Sequence, residues 1–300
     1  MAKTAVVALG GNALIRPGQK GTFKEQMGNV ERAVQDIGAL RKKGYRVLVT
    51  HGNGPQVGNL LLQQDAARAI PKMPLFVCVA ESQAQIGYMI EKAVRNRLGE
   101  PSAVVVTHMV VDKKDPAFKR PTKPIGPYYP TAKLPPDWHI VRSVRGYRRV
   151  VASPKPKEVL EAEEIKALLP KTIVVAGGGG GVPLARGKGG ALKGIAAVID
   201  KDWGAQLLAK VVGAELLVIL TDIEQVFLNY NQPEQAPLGK VSAREARKHL
   251  KEGHFLEGSM GPKIEASLEF LKQGGKRVVI TSFGVLERAL EGEAGTVIEK

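Results

Sequence analysis

The chain has one cysteine among 300 residues, few aromatic side chains, no long apolar run and fewer acidic than basic groups. A lone Cys78 excludes an internal disulfide, and the apolar residues 75–80 around it predict a buried thiol rather than a catalytic one. No stretch approaches the roughly 18 apolar residues that a membrane span requires. Residues 1–4 lead directly into a strand-like run and do not have the pattern of a signal peptide. We therefore expect a cytoplasmic protein with no membrane partner.

The scarcity of aromatic residues, 5% of the chain, argues against the base-stacking surfaces of many nucleic-acid-binding proteins. The formal net charge of +15 is compatible with a nucleic acid, an anionic small substrate or a basic solvated surface. No RNP signature, zinc-finger spacing or long Lys/Arg block accompanies this charge. We therefore expect no nucleic-acid partner, and the other two explanations stay open.

Apolar periodicity predicts an alternation of strands and helices along the chain. Strands are predicted at residues 3–9, 45–50, 103–111, 172–176, 216–220 and 277–281. Helices are predicted at residues 22–43, after Pro55, and at residues 80–98, 157–169, 200–212, 243–251 and 262–272. Continuous apolar strands between helices are typical of a mainly parallel sheet covered on both faces. The predicted fold class is a three-layer, doubly wound α/β fold.

One interruption of this rhythm, at about residues 112–152, is rich in Pro, Tyr, Lys and Arg and lacks a long helical period. It predicts a small β-rich insertion that could act as a lid. Its second half contains Arg142, Arg145, Arg148 and Arg149 with no nearby acid. These arginines indicate either a solvated rim or an electrostatic funnel for anions.

Three glycine-rich segments follow predicted strands: Gly10-Gly11, Gly52-Asn53-Gly54 and the glycine run 177–181. Loops at the carboxyl ends of parallel strands form the ligand crevice, and glycine lets backbone N–H groups surround an anion. Each loop alone could be a tight turn, but the three together favour phosphate binding. No P-loop, dinucleotide or protein-kinase signature is present.

Lysines at the starts of two predicted helices, Lys201 and Lys263, oppose the helix dipole unless an anion lies between them. Asp202 and Asp222 could orient a lysine or hold a magnesium-bound water. Alternatively, the lysines extend into solvent, Asp200 is an N-cap and Asp202 is a first-turn acid. The histidines show no HExxH or CxxC companions, so no protein-bound metal is predicted.

Several ordered motifs together resemble the carbamate kinases, over nearly the whole chain. They are GGNA at residues 10–13, THGNGPQVG at 50–58, DPAF at 115–118, PTKPIG at 121–126, residues 176–183, AVIDKD at 197–202, LTD at 220–222 and SMGPK at 259–263. The resemblance implies the amino-acid-kinase fold and reversible phosphoryl transfer between ATP and carbamate, giving ADP and carbamoyl phosphate. It also implies a homodimer and Mg²⁺ that arrives with ATP or ADP rather than on protein ligands.

The same resemblance divides the chain and assigns its residues. Residues 1–170, with the lid, would bind the phosphoryl acceptor, and residues 171–300 would bind ATP. The implied substrate-binding residues are Gly10, Gly11, Asn12, Gly52, Asn53 and Gly54. The implied catalytic residues are Lys123, Lys201, Asp202 and Lys263. The predicted ATP-binding residues are Gly177, Gly178, Gly179, Lys201, Thr221, Asp222, Val226, Asn229, Met260 and Lys263.

One departure from the wider family concerns Ala8, because relatives that phosphorylate larger carboxylates carry a lysine at that strand position. Lys123 looks like the replacement for that missing lysine, which favours carbamate over acetylglutamate, aspartate or glutamate as the acceptor. Two alternatives stay open: another small-acid kinase of the same fold, or a nucleotide-binding sensor without turnover.

Overall fold

An eight-stranded sheet forms the centre of the computed structural model, which describes residues 3–11, 14–16, 18–67, 69–143, 146–255 and 260–300. Its strands lie in the order β15 (Lys240–Ser242), β17 (Thr296–Glu299), β16 (Arg277–Ser282), β12 (Leu216–Thr221), β1 (Thr4–Leu9), β2 (Arg46–His51), β9 (Ile173–Ala176) and β3 (Ser102–Val105). From β16 to β3 all neighbours are parallel, whereas β17 is antiparallel to β16. The predicted mainly parallel sheet is confirmed.

Helices cover both faces of this sheet. Along β1, Ala5, Val7 and Leu9 belong to one buried cluster, and Val6 and Ala8 belong to another. The first cluster includes α1 (Phe23–Lys42), α3 (Leu75–Leu98) and α8 (Leu286–Glu291); the second includes α4 (Ala162–Leu168), α5 (Lys201–Val211), α6 (Ala243–Lys251) and α7 (Met260–Lys272). Because strand side chains alternate between faces, a fully apolar strand such as β1 requires both helix layers. The three-layer prediction is confirmed.

The segment predicted as a β-rich insertion forms a separate three-stranded antiparallel sheet of β5 (Lys123–Tyr129), β7 (Gly146–Val151) and β6 (His139–Ser143). It rests on α2 (Gly54–Ala66), where a Cβ added at Gly58 would lie 2.0 Å from the Cα of Gly126. The smaller sheets comprise β4 (His108–Val111), β8 (Pro156–Val159), β10 (Val182–Arg186) and β11 (Leu192–Gly194), and the hairpin of β13 (Val226–Leu228) and β14 (Ala236–Leu238).

Two of the predicted elements are wrong in detail. The strand predicted at residues 103–111 is split at Thr107, because β3 joins the central sheet and β4 joins a different one. Gln83 from α3 holds the break: its amide donates to the Thr107 carbonyl at 3.0 Å and accepts from the Thr107 N–H at 2.8 Å. The helix predicted at residues 157–169 is shorter, because its first part is β8, which pairs with β4.

The predicted burial of Cys78 is confirmed, since this residue of α3 is fully shielded from solvent. Burial raises the pKa of its thiol to about 11, so the thiolate is disfavoured. No helix in the described ranges is long and apolar enough to cross a membrane.

Candidate active site

Four neighbouring strands, in the order β12-β1-β2-β9, end at the same edge of the central sheet. The loops that follow them begin with Asp222, Gly10, Gly52 and Gly177. The three glycine-rich segments therefore follow adjacent parallel strands, as the sequence predicts. Gly10 packs especially closely, because its N–H donates to the Leu220 carbonyl at 2.8 Å and an added Cβ would lie 2.8 Å from the same oxygen.

A buried carboxylate joins two lysines at this edge. The Oδ1 of Asp202 lies 2.6 Å from the Nζ of Lys201, and its Oδ2 lies 3.3 Å from the Nζ of Lys263. Lys201 and Asp202 stand in the first turn of α5, and Lys263 stands in the first turn of α7. Lys201 is 7% exposed and Asp202 is 1% exposed. The alternative that these lysines extend into solvent is wrong.

A second ion pair connects the insertion to the same helix. Lys123 begins β5, and its Nζ lies 2.6 Å from the Oδ2 of Asp200. The other oxygen of Asp200 accepts the Asp202 N–H at 2.9 Å, so the N-cap reading of Asp200 is confirmed. This residue thus caps α5 and positions a lysine, a second role that its sequence position did not predict.

The charges of this cluster depend on one another. Burial alone would raise the pKa of Asp200, but the ammonium groups of Lys123, Lys201 and Lys263 outweigh it and hold that pKa far below its ordinary range. Burial also opposes ionisation of Asp202, and Lys201 and Lys263 lower its pKa in the same way. Both carboxylates are therefore ionised at neutral pH.

The two lysines that contact Asp202 have pKa values shifted in opposite directions. Burial lowers the pKa of Lys263, yet Asp202 and Asp200 raise it more, so its net pKa lies above the ordinary value. For Lys201, burial prevails over Asp202 and the net pKa is lowered. A buried ammonium with a lowered pKa becomes more stable when an anion arrives beside it. An anion beside Lys201 would therefore be stabilised.

Two cavities meet at this cluster. The larger, of about 330 Å³, is lined by Gly10, Gly11, Lys201, Thr221, Asp222, Ile223, Phe227, Tyr230, His254, Phe255, Met260 and Lys263. The smaller, of about 270 Å³, is lined by Gly11, Gly52, Asn53, Gly54, Pro55, Lys123, Pro124, Arg148, Gly179, Ile199, Asp200, Lys201, Asp202 and Lys263. Gly11, Lys201 and Lys263 line both. The partly apolar, aromatic cavity and the polar, glycine-lined cavity therefore share two cations.

Most of the predicted site residues line these cavities, and some do not. Gly177 and Gly178 line neither cavity, and Gly179 lines the smaller one rather than the larger. A Cβ at Gly178 would lie 2.3 Å from the His51 ring, which shows that this glycine run packs against side chains. Asn12 lies outside the described residues, and so its predicted substrate contact stays a prediction.

Val226 and Asn229 do not line the larger cavity, but their neighbours Phe227 and Tyr230 do. Sequence reasoning missed both aromatic rings, together with Ile223, His254 and Phe255. The signal that could have found them is two aromatic residues three apart after a predicted strand. Such a pair can cover a planar ring.

His51 is buried beside the smaller cavity, with its Nδ1 3.0 Å from the Gly52 carbonyl oxygen. Burial lowers the pKa of its imidazole to about 4, so it is neutral at pH 7. His51 is thus the last residue of β2, and its ring contacts the backbone where the 52–54 loop begins.

The arginines of the insertion fit both of the explanations that the sequence left open, a solvated rim and an electrostatic funnel. Arg148 lines the smaller cavity, and its Nε donates to the Gly126 carbonyl at 2.9 Å. Arg142 is exposed, and Arg149 stacks 4.4 Å from the Trp138 ring. Arg145 lies outside the described residues. Arg148 therefore contributes positive charge at the cavity, whereas Arg142 belongs to the solvated rim.

Comparison with known proteins gives a consistent result. The amino acid kinase family model matches residues 3–282. The carbamate kinase of Thermococcus kodakarensis is 47% identical over 312 residues, covering 99% of both chains. A structure titled carbamate kinase from Giardia lamblia bound to citric acid has a TM-score of 0.93 and 41% identity, covering 100% of this chain and 99% of that chain. The Giardia lamblia enzyme bound to AMP-PNP has a TM-score of 0.91 and 42% identity, with the same coverage.

Similarity of this extent spans both cavities and the helices that carry Lys201 and Lys263. The chain therefore belongs to the amino acid kinase family and, within it, to the carbamate kinases.

Proposed function

We infer that this protein catalyses reversible phosphoryl transfer between ATP and carbamate, giving ADP and carbamoyl phosphate. In the forward direction a carbamate oxygen forms a bond to the γ-phosphorus of ATP, the bond from that phosphorus to the β,γ-bridging oxygen breaks, and ADP leaves with the electron pair. The observation that carries this inference is the pair of cavities joined at Lys201 and Lys263. A phosphoryl group lying between the two cavities would contact both lysines.

Catalysis by this site would be electrostatic. The transition state of phosphoryl transfer is loose, and its negative charge is spread over the moving oxygens, so positioned cations stabilise it. Lys201 and Lys263 are held by Asp202, and Lys123 is held by Asp200. Carbamate is already anionic, so the reaction needs no general base, in agreement with a neutral, buried His51.

The larger cavity is the better candidate for the nucleotide. Its rings of Phe227 and Tyr230 suit a purine, and Thr221 and Asp222 lie on the strand end beside it. The Giardia lamblia relative bound to AMP-PNP supports the proposal that this chain also binds an adenine nucleotide. Both oxygens of Asp202 already contact lysines. We therefore propose that Mg²⁺ would arrive with the nucleotide and neutralise phosphate charge, and that Asp222, which lines the larger cavity, would help to hold it.

We likewise propose that one half of the chain binds the phosphoryl acceptor and the other half binds ATP. Residues 1–170 supply the 52–55 loop and the Lys123 end of the insertion to the smaller cavity, and residues 171–300 supply most of the larger one. We propose that the insertion acts as a lid over the acceptor, that the protein is a homodimer, and that it acts in the cytoplasm.

The direct test is ATP formation from ADP and carbamoyl phosphate in the presence of Mg²⁺, measured with a coupled assay. The forward reaction is then compared for carbamate, acetylglutamate, aspartate and glutamate. We expect turnover with carbamate alone. Nucleotide binding by folded protein without turnover would identify the sensor instead, and turnover with another acid would identify a different small-acid kinase.

The tight contact between α2 and the insertion gives a prediction about the lid. Alanine at Gly58 would place its Cβ 2.0 Å from the Gly126 backbone, which has no flexible side chain to move aside. We expect Gly58→Ala to displace the insertion and Lys123 with it, raising the KM for carbamoyl phosphate at least tenfold, a cost of about 1.4 kcal/mol. Steady-state kinetics with varied carbamoyl phosphate measures this change.

A matched control is Gly28→Ala in α1, where an added Cβ meets nothing within 4 Å. This exposed helix position should gain about 0.5–1 kcal/mol of stability without any change in KM. Equal kinetic effects of the two substitutions would contradict the role of the α2 contact.

A further inference from the structure

Three side chains with metal-ligating atoms converge at the end of helix α6: His249 in its last turn, Glu252 at its C-cap, and His254 two residues later. Their nearest ligand atoms all lie within 4.8 Å of one another. The phosphoryl-transfer mechanism uses none of these atoms.

The backbone fixes this arrangement. Gly253 adopts a left-handed conformation with φ +79°, and the His254 N–H donates to the His249 carbonyl at 3.2 Å. This is the six-to-one hydrogen bond of a Schellman motif, which brings the residue after the glycine back over the last helical turn. An apolar contact usually occupies that position, but here two imidazole rings meet with their centroids 5.3 Å apart. The chain is therefore folded to keep the two imidazoles together.

The separations of the ligand atoms distinguish a cation site from a hydrogen-bonded cluster. The Oε2 of Glu252 lies 3.5 Å from the His249 Nδ1 and 3.4 Å from the His254 Nε2. Direct N–H···O hydrogen bonds are about 2.7–3.2 Å long, so both contacts are too long for good ones. Tetrahedral zinc, with bonds of about 2.0–2.2 Å, separates its ligand atoms by roughly 3.3–3.6 Å. The two oxygen-to-nitrogen separations match those between zinc ligands, and the two nitrogens lie within 4.8 Å of each other.

Hydrogen bonding around the histidines leaves the facing nitrogens available. The His254 Nδ1 lies 2.7 Å from the Asn229 Oδ1, and donation to that oxygen places the lone pair on Nε2, toward Glu252. A carbonyl oxygen that orients an imidazole in this way is the usual outer partner of a metal-bound histidine. Within the described part of the chain, the buried Nδ1 of His249 has no hydrogen-bond partner.

We propose that the His249 Nδ1, the Glu252 carboxylate and the His254 Nε2 bind a divalent cation of the zinc type, with water as a fourth ligand. Two imidazoles and one carboxylate suit Zn²⁺ better than Mg²⁺, which prefers oxygen ligands. The Lys248 ammonium lies 3.8 Å from the Glu252 Oε1 and would compete for this carboxylate, but it belongs to a largely exposed side chain that can move away. Because His254 lines the larger cavity, the bound cation would fix one side chain of the nucleotide pocket.

The test uses Co²⁺ as a spectroscopic probe on chelator-treated full-length protein. We expect one Co²⁺ per chain, a visible absorption spectrum of tetrahedral type, and displacement by Zn²⁺. His249→Ala should lower the Co²⁺ affinity at least tenfold, since it removes a ligand outright. His139→Ala, which removes an exposed histidine of the insertion, is the matched control and should leave the affinity unchanged.

Glu252→Gln provides a second variant of nearly the same shape and should weaken Co²⁺ binding in the same way while circular dichroism stays unchanged. Its ATP formation should equal that of wild type when both proteins are chelator-treated and assayed with Mg²⁺ alone, because Glu252 lines neither cavity. No stoichiometric Co²⁺ binding, or undiminished binding by both His249→Ala and Glu252→Gln, would overturn the site. Neither outcome would bear on the phosphoryl-transfer function, which is assayed with Mg²⁺.

Discussion

Replacing Lys201 by methionine should lower kcat for phosphoryl transfer by about 10²–10³-fold, the usual effect of removing one preorganised stabiliser of transition-state charge. Lys201 lines both cavities, and its stem runs beside Gly52, where an added Cβ would lie 3.4 Å from the lysine Cδ. Methionine keeps most of this stem, so the loss should come from the missing ammonium. Asp202 would still contact Lys263, which keeps the buried carboxylate paired.

The measurement is kcat for ATP formation at saturating ADP and carbamoyl phosphate, together with thermal unfolding of each variant. Lys210→Met is the matched control, because this lysine stands exposed near the other end of α5. It should have wild-type kcat. A Lys201→Met enzyme that is folded and within a few-fold of wild-type kcat would remove this lysine from the mechanism.

The parts of the fold that the sequence predicted well are those with a strong local pattern. β1 has six consecutive buried residues, and α6 has the predicted bounds because Ser242 and Glu245 form a capping box before it. The glycine-rich loops after β1, β2 and β9 could also be placed at one edge, since parallel strands carry their carboxyl ends together.

The features that the sequence did not predict depend on distant partners. An apolar run through residues 103–111 breaks at Thr107 because Gln83 bonds its backbone, and no local signal marks that contact. The pairing of Lys123 with Asp200 joins residues 77 positions apart. The local sequence pattern identifies Lys201 and Lys263 because each lies at the start of a predicted helix. Lys123 was identified only through the resemblance to carbamate kinases.

The largest expected effect on stability is that of Asp202→Asn. The substitution removes the negative charge between two lysines and leaves their ammonium groups buried and mutually repelling. Breaking a buried ion pair costs about 3–5 kcal/mol, and we expect a loss of that size at pH 7. Urea unfolding followed by circular dichroism and by tryptophan fluorescence measures it, provided that the two transitions coincide.

Asp65→Asn is the matched control, because it breaks an ion pair of similar length, 2.8 Å to Lys72, between side chains that are 44% and 57% exposed. Solvent screening should limit its cost to below about 1 kcal/mol.

The effect of Asp202→Asn should also depend on pH. Burial opposes ionisation of Asp202, but Lys201 and Lys263 bring its pKa below the ordinary value of 3.8. The carboxylate therefore stabilises the fold above about pH 4, and this contribution is lost as the pH falls further. The difference in stability between wild type and Asp202→Asn should narrow below pH 4, and a difference that stays constant down to pH 3 would show that charge is not its cause.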